Sequence, residues 1–125
     1  MVVLDASALL AFLLDEAGAT VVDEQLSEAV ISTVNWAEVL QRLQRHGADT
    51  KGVQEDLQAL GLDFIPFEID NAAFTASLWE KGRKQGLSLG DRACLALGVR
   101  LNCFVLTADR VWPLVFPDLP IQVIR

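Results

Sequence analysis

Short apolar runs alternate with longer amphipathic stretches along the whole chain. Val2-Val3-Leu4 reads as a buried strand that stops at Asp5. Ser7 stands where a helix N-cap would, ahead of Ala8-Leu9-Leu10-Ala11-Phe12-Leu13-Leu14. Gly18 punctuates, and a second helix is predicted over about Ala19 to Glu28. Ala29 to Ser32 reads as a second strand, followed by a helix from Val34 to Arg45 with Trp36, Val39, Leu40 and Leu43 at helical spacing. Gly47 ends it, and another helix is predicted from near Asp49 to Leu60-Gly61. Asp63 to Phe67 is a strand that Pro66 places at an edge. Asp70 caps a long helix from Asn71 to Gln85, closed by Gly86, and Ser88 caps the next, Leu89 to Leu101. Phe104 to Thr107 and Ile121 to Ile124 complete the strands, with Trp112-Pro113 and Phe116-Pro117 in the loop between them.

Strands alternating with helices predict an α/β fold of three layers, a central mostly parallel sheet with helices on both faces. There is no repeat, low-complexity tract or linker, so residues 1–125 are expected to form one domain. Ligands in such folds sit beyond the carboxyl ends of the strands. The strands ending at Leu4, Ser32 and Thr107 each run directly into an acid-bearing segment.

A hydrophobic fraction of 52% with 22% charged residues suits a packed core and excludes disorder. The two cysteines, Cys94 and Cys103, lie in apolar surroundings and read as core thiols rather than a disulfide framework. A zinc site would need Cys or His ligands close by, and the single histidine, His46, sits at a helix C-terminus where the dipole accounts for it. No segment approaches the roughly 20 apolar residues of a membrane span. The first residues lack the basic region of a secretory signal, and the expectation is a cytoplasmic, reduced protein.

The chemistry rests on four acids: Asp5, Glu38, Asp91 and Asp109. Each also has a structural reading. Asp5 would end a strand. Glu38, three residues after Asn35 and four before Arg42, fits a capping pattern or an i,i+4 ion pair. Asp91, three after Ser88, fits a capping box, and Asp109 fits a loop. Context favours more. Asp5 lies between Val3-Leu4 and Ala8-Leu9-Leu10, Asp91 opens a helix that is apolar nearly all round, and Asp109 follows Phe104-Val105-Leu106. Carboxylates among buried elements are costly without a cation, and too few basic residues are placed to pair them all. Converging acids of this kind suit a hard divalent cation, Mg²⁺ or Mn²⁺. Such an ion activates water for phosphodiester hydrolysis without a nucleophilic side chain.

Val3-Leu4-Asp5-Ala6-Ser7-Ala8-Leu9-Leu10, Asn35-Trp36-Ala37-Glu38-Val39, Leu87-Ser88-Leu89-Gly90-Asp91-Arg92-Ala93-Cys94-Leu95-Ala96 and Leu106-Thr107-Ala108-Asp109-Arg110 together resemble a PIN domain, more narrowly a VapC-type toxin of bacterial toxin–antitoxin pairs. The resemblance runs over essentially the whole chain. It implies a metal-dependent endoribonuclease with Asp5, Glu38, Asp91 and Asp109 around Mg²⁺ or Mn²⁺, and with Ser7 and Thr107 supporting the site through hydrogen bonds. It further implies a homodimer inhibited by a cognate antitoxin.

A net charge of −7 runs against a nucleic-acid partner and predicts weak RNA binding in the absence of metal. Local cations would have to compensate. Lys81, Arg83, Lys84, Arg92 and Arg110 surround the later acids. Arg92 and Arg110, each following an acid, are candidates to contact RNA phosphate or a neighbouring acid, the alternative being solvated surface charge. Lys81, Arg83 and Lys84 read as a helix C-terminal charge preference. Trp36, Trp79 and Trp112 read as core or interface anchors rather than base-stacking platforms. Two other functions compete: a non-catalytic PIN-like binding module, which would be expected to lack acids that are all present here, and a receiver-like phosphoacceptor domain. The latter would want paired acids after the first strand and a late lysine, whereas Asp5 stands alone and no lysine follows Lys84.

Overall fold

The computed structural model describes every residue from Met1 to Arg125 and gathers the apolar runs into one sheet. Its strands are β1 (Val2–Leu4), β2 (Ala29–Ser32), β3 (Asp63–Ile65), β4 (Phe104–Thr107) and β5 (Ile121–Val123). They stand in the order β3-β2-β1-β4-β5, and every neighbouring pair is parallel. The central strands are apolar at nearly every position because both faces are covered. Period-two alternation then divides their side chains. Val2, Leu4, Ala29, Ile31 and Leu106 enter one core, while Val3, Val30 and Val105 enter the other. This sheet order also rules out the receiver-like reading, whose doubly wound sheet runs 2-1-3-4-5.

The first core is closed by α1 (Ala6–Leu13), α2 (Ala19–Gln25), α3 (Thr33–Arg45) and α4 (Val53–Ala59). The second is closed by Leu78, at the junction of α5 (Ile69–Ser77) and α6 (Trp79–Gly82), by Leu87, and by α7 (Leu89–Leu101) and α8 (Trp112–Val115). The result is the expected α/β/α arrangement, with a sheet that is wholly rather than mostly parallel. Helix α7 is the most buried, with Arg92 through Gly98 all inside. Gly98 allows its approach to the sheet, because a β-carbon there would collide with the side chain of Val105.

Several predicted boundaries shift for local reasons. Ser7 is not an N-cap: Asp5 holds the N-cap position of α1 in extended backbone without a capping hydrogen bond from its side chain, and Ser7 lies in the first turn. Helix α3 is capped by Ser32, which accepts from the Val34 N–H, so Asn35 is free for another task. Helix α4 starts only at Val53, because Gly52 enters it from the left-handed region at φ +81°. The long helix predicted from Asn71 to Gln85 breaks at Leu78 into α5 and α6 and ends in a 3₁₀ turn, Arg83–Gln85. Asp70 lies in its first turn, and Glu68 holds the cap position. The predicted loop after β4 contains α8, with Pro113 in its first turn, where a missing N–H costs nothing.

Candidate active site

Beyond the carboxyl ends of β1, β2 and β4, a hollow of about 260 Å³ is lined by Asp5, Glu38, Asp91 and Asp109, with Ser7, Glu16, Arg42, His46 and Arg125 among its other walls. The parallel topology explains the convergence: Asp5 ends β1, Glu38 lies on the helix after β2, and Asp109 follows β4. Asp91 comes from the first turn of α7.

Asp5 is the best-anchored of the four. Its backbone N–H donates to the Leu106 carbonyl at 2.9 Å, so it is held as an extension of the sheet. The hydroxyls of Ser7 and Thr107 donate to its Oδ2 at 2.6 and 3.0 Å. Each hydroxyl is oriented from behind: Ser7 Oγ accepts from the Ala108 N–H and Thr107 Oγ1 from the Asp109 N–H. Two relays therefore run from the backbone after β4 into one oxygen of Asp5. The Asp5 carboxyl is pushed up from 3.8 to about 6, chiefly by burial, against the opposing effect of the Ser7 hydrogen bond, with the charges of Asp91 and Glu38 adding to the rise.

Glu38 is held differently. Asn35, fully buried one turn earlier, donates its Nδ2 both to Glu38 Oε1 at 2.8 Å and to the Gly90 carbonyl at 3.0 Å. One amide thus ties the second acid to the turn that carries the third. No ion pair joins Glu38 to Arg42; the chain's ion pairs are Arg83–Glu80 and Arg125–Glu16. The Glu38 carboxyl is raised by burial and by Asp91, which outweigh Asn35 and Arg42.

Asp91 closes the capping box expected of it. Ser88 N–H donates to Asp91 Oδ2 at 2.9 Å, and Ser88 Oγ accepts from the Asp91 N–H at 3.1 Å. Burial raises the Asp91 carboxyl, and Asp109 adds to this against the hydrogen bonds from Ser88. The structural and chemical readings of this residue coexist, because only one carboxylate oxygen is used in the cap. Asp109 is exposed and likewise spends one oxygen, Oδ1, on the Val111 N–H.

All four acids share a pattern: each is anchored through one oxygen while the other, Asp5 Oδ1, Glu38 Oε2, Asp91 Oδ1 and Asp109 Oδ2, takes no hydrogen bond from the protein. No three acidic, histidine or cysteine side chains are grouped tightly enough to grip an ion as they stand. The donor set itself is all oxygen around a polar hollow with room for bound waters. It fits a hard divalent cation, which keeps part of its hydration shell.

The other singled-out residues divide. Arg92 is buried, with its guanidinium turned onto the Thr75 carbonyl at 3.0 Å, so it neither faces the hollow nor carries solvated charge. Arg110 is exposed and donates to the Arg125 carbonyl. Trp112 and Trp36 are buried, whereas Trp79 is exposed with Arg83 over its ring. Cys94 is buried and Cys103 partly so, and neither is bonded to the other. Asn35 and Gly90 escaped the sequence reading. Asn35 passed for part of a cap, and a glycine within the first turn of a buried helix was the only hint of Gly90.

A family model for the PIN domain matches residues 2–115. The chain is similar in structure to a toxin–antitoxin complex from Klebsiella pneumoniae (18% identity over all of this chain and 98% of that one, TM-score 0.72). It is similar to FitAcB from Neisseria gonorrhoeae (16% identity, 99% and 98% covered, TM-score 0.75) and to VapBC-1 from nontypeable Haemophilus influenzae (17% identity, 99% and 98% covered, TM-score 0.69). At these identities the likeness is one of fold. No curated protein matches the chain in sequence.

Proposed function

This chain belongs to the PIN domain family, and from that premise we propose that it is a metal-dependent endoribonuclease acting as the toxin of a toxin–antitoxin pair. The observation that carries the catalytic reading is the set of four acids around one hollow, each held by one oxygen and offering the other, with no ion pair to any of them.

In this reading the free oxygens of Asp5, Glu38, Asp91 and Asp109 hold Mg²⁺ or Mn²⁺. Such an ion would supply Lewis-acid polarisation of a phosphate and activation of a water at these residues. The chain's own residues do the rest. Ser7 and Thr107 fix the rotamer of Asp5, Asn35 that of Glu38, and Ser88 that of Asp91. Burial raises the Asp5 carboxyl to about 6, so a proton competes for it only in mildly acidic solution, and at neutral pH its buried charge calls for a cation. No nucleophilic side chain is required. Preorganised carboxylates keep the reorganisation cost low at the moment of reaction.

The toxin reading is supported by the similar solved structures, among them a toxin–antitoxin complex whose matched chain is covered over 98% of its length. It brings with it a cognate antitoxin and a homodimer, for which Ile69, Phe74 and Trp79 offer exposed apolar area on α5 and α6. No helix is long and apolar enough to cross a membrane. The cytoplasm is the proposed location, where RNA is available and Cys94 and Cys103 stay reduced.

The test is cleavage of RNA by purified protein free of any antitoxin, with Mg²⁺ or Mn²⁺ against EDTA, beside Asp91→Asn. Cleavage that needs the metal and vanishes in the variant is expected. Folded, metal-supplied protein that binds RNA but leaves it whole would instead make this chain a non-catalytic binding module.

A further inference from the structure

The acid hollow does not stand alone. Two further hollows share its walls along α3, one of about 350 Å³ lined by Arg42, Arg45 and His46, and one of about 130 Å³ lined by Glu38, Gln41, Arg42 and Arg45. Arg42 borders all three. Helical spacing makes this a stripe: Glu38, Arg42 and then Arg45 and His46 follow one another at i+4 and i+3 on one face. From Glu38 to His46 the stripe runs about 12 Å along the axis.

Engagement of the other arginines singles this stripe out. Arg83 pairs with Glu80, Arg92 with the Thr75 carbonyl, Arg100 with Asn71, Arg110 with the Arg125 carbonyl, and Arg125 with Glu16 and the Ala17 carbonyl. Arg42 and Arg45 are the arginines with no hydrogen bond or ion pair, and both are exposed. Two unpaired guanidinium groups beside a cluster of carboxylates, on a chain of net charge −7, are poorly explained as solubility charge. They are well suited to a polyanion, because guanidinium groups take phosphate in a bidentate fork.

We propose that Arg42, Arg45 and His46 form the track that holds the phosphates of a single-stranded RNA flanking the bond placed at the carboxylates. The inference rests on the ribonuclease reading and deepens it by naming where the chain's affinity for RNA resides. The hollow's other arginine, Arg125, is already paired with Glu16, so the stripe on α3 is the free guanidinium path beside the carboxylates, and the RNA is expected to follow it. Phosphate contacts position the strand and carry no sequence information, so the track sets affinity and register rather than choice of base.

The test uses the full chain with Asp91→Asn, so that RNA is bound but not cut, and reads the anisotropy of a labelled single-stranded oligoribonucleotide over a range of salt with Mg²⁺ present. Arg42→Ala/Arg45→Ala is expected to weaken binding at least tenfold and to lower the salt slope by about one to two, the change for two lost phosphate contacts. Arg42→Lys/Arg45→Lys is expected to keep most of that slope. Lys81→Ala/Lys84→Ala, which removes the same charge elsewhere, is expected to bind as the parent does. In the active background the alanine pair raises KM and leaves kcat unchanged.

RNA binding and salt slope unchanged in Arg42→Ala/Arg45→Ala, while the parent cleaves RNA, would overturn the track and leave the nuclease intact. Equal losses from the two alanine pairs would also overturn it, by assigning the effect to net charge. Polyglutamate bound through Arg42 and Arg45 with RNA binding unaltered would give the stripe to an acidic protein segment. A parent that neither binds nor cleaves RNA would overturn the track together with the function it rests on.

Discussion

The carboxylate of Glu38 lies directly on Gly90: a β-carbon at that glycine would come within 2.7 Å of Glu38 Cδ and 2.8 Å of Oε2. The acid of one helix is seated in the space that another helix leaves by lacking a side chain. Gly90→Ala therefore separates stability from activity. Alanine gains up to about 1 kcal/mol of helix propensity over glycine, and the displaced group is the end of a flexible side chain. Thermal unfolding is expected to hold or rise, whereas metal-dependent cleavage falls at least tenfold. A fully active Gly90→Ala would show that the seat does not matter.

Asp5 should make the metal-free protein less stable as pH rises. Its carboxyl titrates near 6 in the folded chain against 3.8 for an ordinary aspartate, so the folded state binds the proton more tightly than the unfolded state. The stability this contributes is complete below about pH 4 and is lost as pH rises through 6. The shift corresponds to about 3 kcal/mol. The expected measurement is the difference in unfolding free energy between parent and Asp5→Asn in EDTA, which should move in favour of the variant between pH 4 and 7. A pH-independent difference would refute the burial argument.

Divalent cations should reverse that penalty. Binding only to the folded chain stabilises it by RT ln(1 + [L]/Kd), about 2.7 kcal/mol at a hundredfold excess over Kd. Because protons and cations compete for the same oxygens, the rise in Tm on adding Mn²⁺ is expected to be larger at pH 7.5 than at pH 5.5. Asp5→Asn should abolish it, and Asp91→Asn should reduce it.

Ser7→Ala tests the relay into Asp5. The change strands the Ala108 N–H and removes one of two hydrogen bonds to Asp5 Oδ2, at a cost of about 1–2 kcal/mol. The Ser7 bond also lowers the Asp5 pKa, so its loss moves the midpoint of the pH dependence upward. Thr107→Val should do the same more mildly, because the Ser7 bond is the larger of the two influences. Unfolding curves across pH would detect both.

The tryptophans divide by burial. Trp112 is fully enclosed in the second core, and Trp112→Ala is expected to lose about 3–5 kcal/mol. Trp79 is half exposed, and Trp79→Ala is expected to leave monomer stability within error in denaturant melts. Any effect it has on sedimentation would identify α6 with the dimer face.

Much of this was legible from local pattern alone. The apolar runs at Val2–Leu4, Ala29–Ser32 and Phe104–Thr107 announced β1, β2 and β4, because strands buried on both faces leave no polar alternation. The Ser88–Asp91 box could be read directly, since a capping box is set by residues three apart. Asp5, Asp91 and Asp109 could be nominated because acids beside apolar segments, without cations to match, need another partner, whereas Glu38 is nominated by the resemblance of Asn35-Trp36-Ala37-Glu38-Val39 to the family's second acidic segment.

What local pattern could not supply was anything that depends on distance between remote residues. Local pattern reads Ser7 as a helix cap, and only the family resemblance joins it to Thr107, a hundred positions away, at the site where both donate to Asp5. Arg92 reads as a contact to RNA or a neighbouring acid, or else as solvated charge, because its acceptor, the Thr75 carbonyl, belongs to a different helix 17 residues earlier. Asn35 and Gly90 acquire meaning only where α3 and α7 touch, and the engagement of the arginines that leaves Arg42 and Arg45 free is a property of the packed surface. Local pattern set most of the elements and nominated Asp5, Asp91 and Asp109, because helix periods, strand runs and caps are settled within a few residues. Which oxygens are held and which are free came from packing, because burial and hydrogen bonding depend on what the folded chain brings alongside.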